Sequence, residues 1–384
     1  VSVTAAQGFA ASGVTAGLKA SGLPDLALVA ADLPVPAAAV FTTNRVQAAP
    51  VRQSRGALYD GRLRAVVLNS GGANACTGPD GLADAYAMAT ATATALGAEP
   101  HDVAVASTGL IGVRLPMPLV LPAIDRAAAA LSRGGGAEAA EAIRTTDTVA
   151  KQAAQTTGGY TVGGMAKGAG MLAPALATML CVLTTDADLT AGDLDHALRA
   201  ATRVTFDRVD SDGCMSTNDS VYLLASGASG VRPDLDGFTA TLTAACADLA
   251  TQLVDDAEGA SKRIAITVSG AYSETDAVTA ARAVARSALL KCAVHGEDPN
   301  WGRVLAALGT TTAAFDPDRI AVWINGFQVC RDGMAYGDLA VARTAMKTRE
   351  IAIDIALDAG DAAATVLTTD LTAAYVHENS AYST

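Results

Sequence analysis

Short runs in which apolar residues stand unbroken or alternate with polar ones recur along the chain. They predict strands over 65–69, 103–107, 179–184, 221–224, 263–269, 320–325, 350–356 and 363–370. Between them, apolar positions fall at helical spacing and predict helices over 81–96, 118–131, 138–145, 191–199, 235–257 and 276–293. Much of that helical sequence is alanine, which favours helix on propensity alone. The two kinds of segment alternate loosely, and no internal repeat is visible. SRGGGA, 132–137, reads as a glycine-rich loop between helices, and 232–237 as a turn that launches the longest one. Residues 168–185 carry no charge and are long enough to raise the question of a membrane span. Glycines, Pro174 and several threonines dilute the stretch, and Lys167 and Asp186 bound it without aromatic anchors. It therefore reads as a loop running into a buried strand.

Composition narrows the picture. With 384 residues the chain has room for two or three domain-sized units or one large sandwich. It is 51% hydrophobic but 4% aromatic, so its core must be built from Ala, Val, Leu and Ile. A net charge of -12 without a long basic run argues against nucleic acid and anionic membranes as partners. The first residues show no basic segment ahead of an apolar core, as a signal peptide would. Six scattered cysteines form no C-x-x-C pair, and four histidines form no H-x-x-x-H pattern. No metal site and no disulfide framework is expected, and a reducing cytoplasm fits.

The candidate chemistry lies in GGMAKGAGMLAPALATMLCVLTTD, 163–186. One hydroxyl nucleophile, Thr178, follows the small Ala177 and precedes the apolar run 179–183. Threonine is a poor nucleophile without a base beside it. One solution is to free its own α-amine by cutting the peptide bond before it. For an arbitrary ATML string the ordinary reading is a threonine in a buried strand. Lys167, Gly163, Gly164, Gly168, Gly170 and Pro174 together weigh against that here. The glycines lack the G-x-x-x-x-G-K-[ST] order of a phosphate loop, since Lys167 is followed by glycine. Cys181 falls inside the apolar run, where cysteine is usually inert packing.

Ordered blocks extend this pattern along nearly the whole chain. They are FTTNRVQAAPV (41–51), NSGGANACTG (69–78), STGLIG (107–112), TTDT (145–148), KGAGM (167–171) with Pro174 and ATML (177–180), DGCMSTND (212–219), EGASK (258–262), HGEDPNWGR (295–303) and ENSAYST (378–384). In these the chain resembles the ornithine acetyltransferase family, also called glutamate N-acetyltransferase or arginine-biosynthesis bifunctional protein. The resemblance implies an α/β layered sandwich of sheets between helices, of the self-cleaving N-terminal-threonine-nucleophile type, with a smaller C-terminal region. It implies cleavage between Ala177 and Thr178 into an α-chain, 1–177, and a β-chain, 178–384, and a dimer of such cleaved units (α2β2). The freed amine of Thr178, with a reference pKa of about 8, then serves as base to its own hydroxyl.

By the same resemblance the Thr108 hydroxyl and the Gly109 N–H form the oxyanion hole. Thr145, Lys167, Thr178, Glu258, Asn379 and Thr384 match substrate-contacting positions. Lys167 either lowers the amine pKa by charge repulsion or binds a substrate carboxylate. Glu258 suits the δ-ammonium of ornithine. The terminal N-x-x-Y-x-T pattern suggests a tail folded over the site. Asn74, Asp147, Asp212, Asn218 and Asn300 read as polar residues that tie loops. The implied reaction is ping-pong: N-acetylornithine acetylates Thr178, and glutamate takes the acetyl group, with no cofactor and no metal. Some relatives use acetyl-CoA, for which no motif is evident. Gly72 stands where the family commonly has Asn, and His377 and Glu378 where a basic or apolar pair is usual. These departures leave room for a specialised paralogue, such as the clavulanic-acid-cluster member. The rival readings are a self-cleaving threonine amidase or aminopeptidase of the same fold, and a non-catalytic oligomeric binding protein.

Overall fold

Leu26–Phe41 forms one strand of 16 residues, and it organises the larger part of the molecule. The computed structural model describes residues 2–173 and 179–381. Within these the chain divides into two compact units. The first runs to Asp207 and includes Cys214–Leu253; the second holds Arg208–Gly213 and the chain from Val254 onward.

The strands of the first unit are β1 (Phe9–Val14), β2 (Leu26–Phe41), β3 (Arg62–Ser70), β4 (Val103–Thr108), β5 (Lys151–Thr157), β6 (Tyr160–Lys167), β7 (Leu180–Thr185) and β8 (Ser220–Ala225). Its helices are α1 (Ala49–Ala57), α2 (Gly78–Leu96), α3 (Met117–Ala129), α4 (Gly136–Ala142), α5 (Ala191–Val204) and α6 (Leu235–Asp255), the last running on to Asp255. The strand order is β4-β3-β2-β8-β7-β6-β5, with β1 also on β2. β3 and β4 run parallel, as do β7 and β8; the other pairs are antiparallel. The first half of β2 pairs with β1 and β3. Its register shifts between Ala30 and Val35, and Ala37 to Phe41 then pair with β8. Such an irregularity bends a strand, which lets β2 serve two layers.

Alternation along the strands sorts the core. Ala27, Val29, Val66, Leu68, Ala104 and Ala106 meet Met165, Leu180, Val182, Tyr222 and Leu224 of the second layer. The Tyr222 hydroxyl crosses between layers to donate to the Val105 carbonyl at 3.2 Å. The opposite residues of the first layer, among them Leu26, Leu28, Val67 and Val105, pack on Met88 and Ala89 of α2 and on Val120 and Ile124 of α3. Beyond the second layer, α5 packs on β2 and β8, and Phe238 of α6 stacks on Tyr160 at 5.9 Å. The result is helices, sheet, sheet, helices: the expected layered sandwich. Ala-rich layers bury little area per residue, so a large buried side chain such as Leu28 carries weight, and truncating one to Ala costs about 2–5 kcal/mol.

The second unit is the smaller C-terminal region. It contains β9 (Arg263–Ala271), α7 (Glu274–Ala285), α8 (Ala288–His295), α9 (Trp301–Leu308), β10 (Ala321–Ile324), β11 (Phe327–Arg331), β12 (Met334–Ala335), α10 (Leu339–Ala345), β13 (Glu350–Ala356), β14 (Ala362–Thr369) and α11 (Ala373–Ala381). Its sheet has the order β12-β11-β10-β13-β9-β14, with β9 and β13 parallel. Ile264, Ile266 and Val268 of β9 and Ile351, Ile353 and Ile355 of β13 share one buried face with the small residues of α7.

Three predicted helices change. The one expected over 276–293 is two, because Ser287 caps a new helix by accepting the Leu290 N–H at 3.3 Å. The one over 138–145 is Gly136–Ala142, and that over 191–199 continues to Val204. No helix among the described residues is long and apolar enough to cross a membrane, and no cluster among them could hold a metal ion.

Candidate active site

At the end of β4 the chain turns through Thr108 and Gly109. The Thr108 carbonyl accepts the N–H groups of Gly71 and Gly72 at 2.9 and 3.0 Å. Gly109 has φ +128°, and a Cβ there would lie 2.5 Å from the Gly72 nitrogen. Only glycine fits this close approach. Asn218 ties the turn from below, its Nδ2 donating to the Ala73 and Ser107 carbonyls at 2.6 and 2.9 Å. It is the loop tie that its motif suggested.

β6 ends at Lys167, which is 2% exposed. Its Nζ donates to the Thr108 Oγ1 at 3.4 Å and lies 4.0 Å from Asp147 Oδ2. Lysine has no acceptor, so the Thr108 oxygen must accept, and its own proton is left to point elsewhere. Asp147 is the hub beneath. Its Oδ1 takes Lys151 Nζ at 2.6 Å and the Gly168 N–H at 2.7 Å; its Oδ2 takes the Thr145 N–H at 3.0 Å and the Thr145 hydroxyl at 3.4 Å. Burial pushes the Asp147 pKa up. The Lys167 and Lys151 ammoniums and the hydrogen bonds outweigh it and hold the carboxyl well below the usual range. Two buried cations thus flank the Asp147 carboxylate, and one of them, the Lys167 ammonium, lies beside the Thr108 hydroxyl.

In the second unit, Asn379 Nδ2 donates to Glu258 Oε2 at 3.0 Å. The turn that follows Glu258 is held by Asp370. Its Oδ1 takes the Ser261 and Lys262 N–H groups at 2.9 and 2.8 Å, and its Oδ2 takes the Ser261 hydroxyl and His295 Nδ1. Burial raises the Asp370 pKa, but these hydrogen bonds carry it below the ordinary value. Ser261, His295 and Asp370 look like a catalytic triad, yet serine and aspartate both meet the same ring nitrogen, Nδ1. A relay needs them on opposite nitrogens, so this cluster is a clamp on the turn.

The structure therefore joins Thr108, Gly109, Lys167 and Thr145 in one unit, and Glu258 with Asn379 in the other. Ala177, Thr178 and Thr384 lie outside the described residues. Cys181 is fully buried, with its thiol pushed well up by that burial, and is packing. Sequence reasoning left Asp147 among the loop ties and did not single out Lys151. Their signal is tertiary: Asp147 lies just before β5, and its carboxylate meets Lys151 of β5 and lies 4.0 Å from Lys167 at the end of β6.

A family model described as the ArgJ family matches residues 10–384. The arginine biosynthesis bifunctional protein ArgJ of Streptomyces coelicolor is 61% identical over 384 residues, 100% of both chains. ArgJ 1 of Streptomyces clavuligerus is 59% identical over 384 residues, again the whole of both. Among solved structures, the arginine biosynthesis bifunctional protein argJ of Bacillus halodurans is 33% identical with a TM-score of 0.50. That match covers 52% of this chain and 97% of the solved one.

Proposed function

The chain belongs to the ArgJ family, and from that footing we propose that it moves the acetyl group of N-acetylornithine to glutamate through an acetyl-threonine intermediate. The nucleophile is Thr178, freed by self-cleavage after Ala177. Its α-amine takes the proton of its hydroxyl as the oxygen attacks the acetyl carbonyl. The Thr108 hydroxyl and the Gly109 N–H stabilise the oxyanion, and the intermediate collapses by breaking the C–N bond. The amine of ornithine leaves with the proton. Glutamate's amine then attacks the ester and reverses the sequence, giving N-acetylglutamate. Thr145 and Lys167 serve the acyl and carboxylate end of the substrate; Glu258, Asn379 and Thr384 recognise the rest, with Glu258 set against the δ-ammonium. The cleaved αβ units pair as α2β2 in the cytoplasm.

The observation that carries this reading is the buried Lys167 on Thr108 Oγ1 above the Asp147 carboxylate. It leaves a hydroxyl donor beside a buried ammonium, and both suit a developing oxyanion. Cleavage has separate support. The solved Bacillus halodurans chain is itself only about half as long as this one, as a separated α- or β-chain would be.

The test is the intact mass of denatured protein, together with acetyl transfer, for wild type and Thr178→Ala. Two chains with a new N-terminus at Thr178, and one uncut, inactive chain in the variant, are expected. A single uncut wild-type chain that transfers acetyl would refute the mechanism. Acetate released from N-acetylornithine as fast without glutamate as with it would favour the amidase reading instead.

A further inference from the structure

Asp219 is the residue that leads into β8, and it has no solvent exposure. Its place is fixed on two sides. Its carbonyl accepts the Thr42 N–H at 2.9 Å, and the Ser220 N–H donates to the Met179 carbonyl at 3.1 Å where β7 and β8 pair in parallel. The side chain reaches across the same pairing, and Oδ1 accepts the Met179 N–H at 3.0 Å. The other oxygen, Oδ2, is buried and has no hydrogen-bond partner among the described residues. Burial pushes this carboxyl well above the usual carboxylate range, against the Met179 N–H, the nearby Ser216 hydroxyl and the Lys167 ammonium. A buried polar atom left unsatisfied is costly and rare, and packing alone gives no reason to keep it.

Met179 is the residue after Thr178, so the N–H that Asp219 holds belongs to the peptide joining Thr178 to Met179. We propose that Asp219 is a positioning residue for Thr178: by taking that N–H it anchors the backbone at Met179, directly after the nucleophile. That anchor holds the residue to which the nucleophile is bonded, and so limits how far Thr178 can move. The inference rests on Thr178 being the nucleophile. A misplacement of about 1 Å at a reacting atom can cost on the order of a hundredfold in rate, so a single backbone anchor here has leverage on both self-cleavage and acetyl transfer.

The experiment compares Asp219→Ala and Asp219→Asn with wild type, following the cut fraction by intact mass over time and acetyl transfer by steady-state kinetics. Asp219→Ala removes the acceptor. It is expected to cleave at least about tenfold more slowly and, once cut, to lose at least about tenfold in kcat with KM within about threefold. Asp219→Asn keeps an oxygen for the same N–H and is expected to restore both to within about threefold. A lowered melting temperature in Asp219→Ala with unchanged cleavage and kcat would make the residue merely structural and overturn the proposal. Equal losses in both variants would also overturn it. Amide exchange at Met179 in the wild-type protein gives a reading even where Asp219→Ala does not fold: the amide is expected to be strongly protected, and fast exchange overturns the anchor. Thr178→Ala is run alongside, because a cut chain there sinks the nucleophile reading without touching Asp219.

Discussion

Replacing Asp147 by Asn takes the carboxylate from a site where two ammonium groups are almost wholly buried. Lys151 and Lys167 have side-chain exposures of 0% and 2%, and their Nζ atoms lie 2.6 and 4.0 Å from the carboxylate. Removing one partner of such a buried set costs about 3–5 kcal/mol, because the desolvated charge left behind has lost its compensation. That is a large share of a total stability of about 5–15 kcal/mol. For a unit of this size it corresponds to a fall in melting temperature of roughly 6–20 °C. The assay is urea and thermal unfolding of Asp147→Asn in the uncut Thr178→Ala background, from neutral to acid pH. The native carboxyl titrates below its unfolded value of about 3.9. Its contribution is therefore complete above about pH 4 and lost as pH falls through the native pKa. The wild-type and Asp147→Asn curves should differ most at neutral pH and converge in acid. A difference under about 1 kcal/mol at pH 7, or curves that run parallel into acid, would refute the charge hub. Adding Lys151→Met should recover part of the loss, since it removes the more tightly bound of the two cations.

Gly109→Ala should be harmful twice over. It forces a side chain into φ +128° and against the Gly72 nitrogen, at about 1–3 kcal/mol, and it displaces the proposed oxyanion donor, with an expected fall in kcat of at least about tenfold; wild-type kcat would refute that placement. Thiol titration of the native protein should find Cys76, Cys214 and Cys292 reactive and Cys181, Cys246 and Cys330 silent until unfolding. Rapid labelling of Cys181 would mean that β7 is not buried as described.

The strands that alternate cleanly, such as β9 and β13, were legible because one face of each is buried and the other is wet. β2 was not. Asp32, Pro34 and Pro36 break its pattern, and the structure absorbs them where the register shifts between its two halves. β6 was hidden by its glycines, which read as a loop. These strand positions are glycine because a Cβ on Gly163 would lie 2.4 Å from the Ser2 carbonyl oxygen, and one on Gly164 would press on Leu183 and Leu249. In the site, Thr108, Gly109 and Lys167 were visible only through the motif blocks, since a Thr-Gly pair after a strand is otherwise an ordinary turn. Asp147 and Lys151 acquire their meaning from contacts with Lys167 and Gly168, at the end of the next strand and just beyond it, which no local pattern carries.

The bond between residues 177 and 178 falls between β6 and β7, which pair antiparallel along six positions from Val162 with Thr185 to Lys167 with Leu180. A cut there, as proposed, would also separate β2 from its neighbour β8. Both halves therefore contribute adjacent strands to one sheet, and each lacks the other's edge when alone. Before cleavage, forming that sheet is a first-order event within one chain. After the proposed cleavage it would be an encounter between two molecules, and recovery from denaturation would depend on their concentration. The proposed cleavage would thus exchange a folding step set by one chain alone for one set by how much of each half is present.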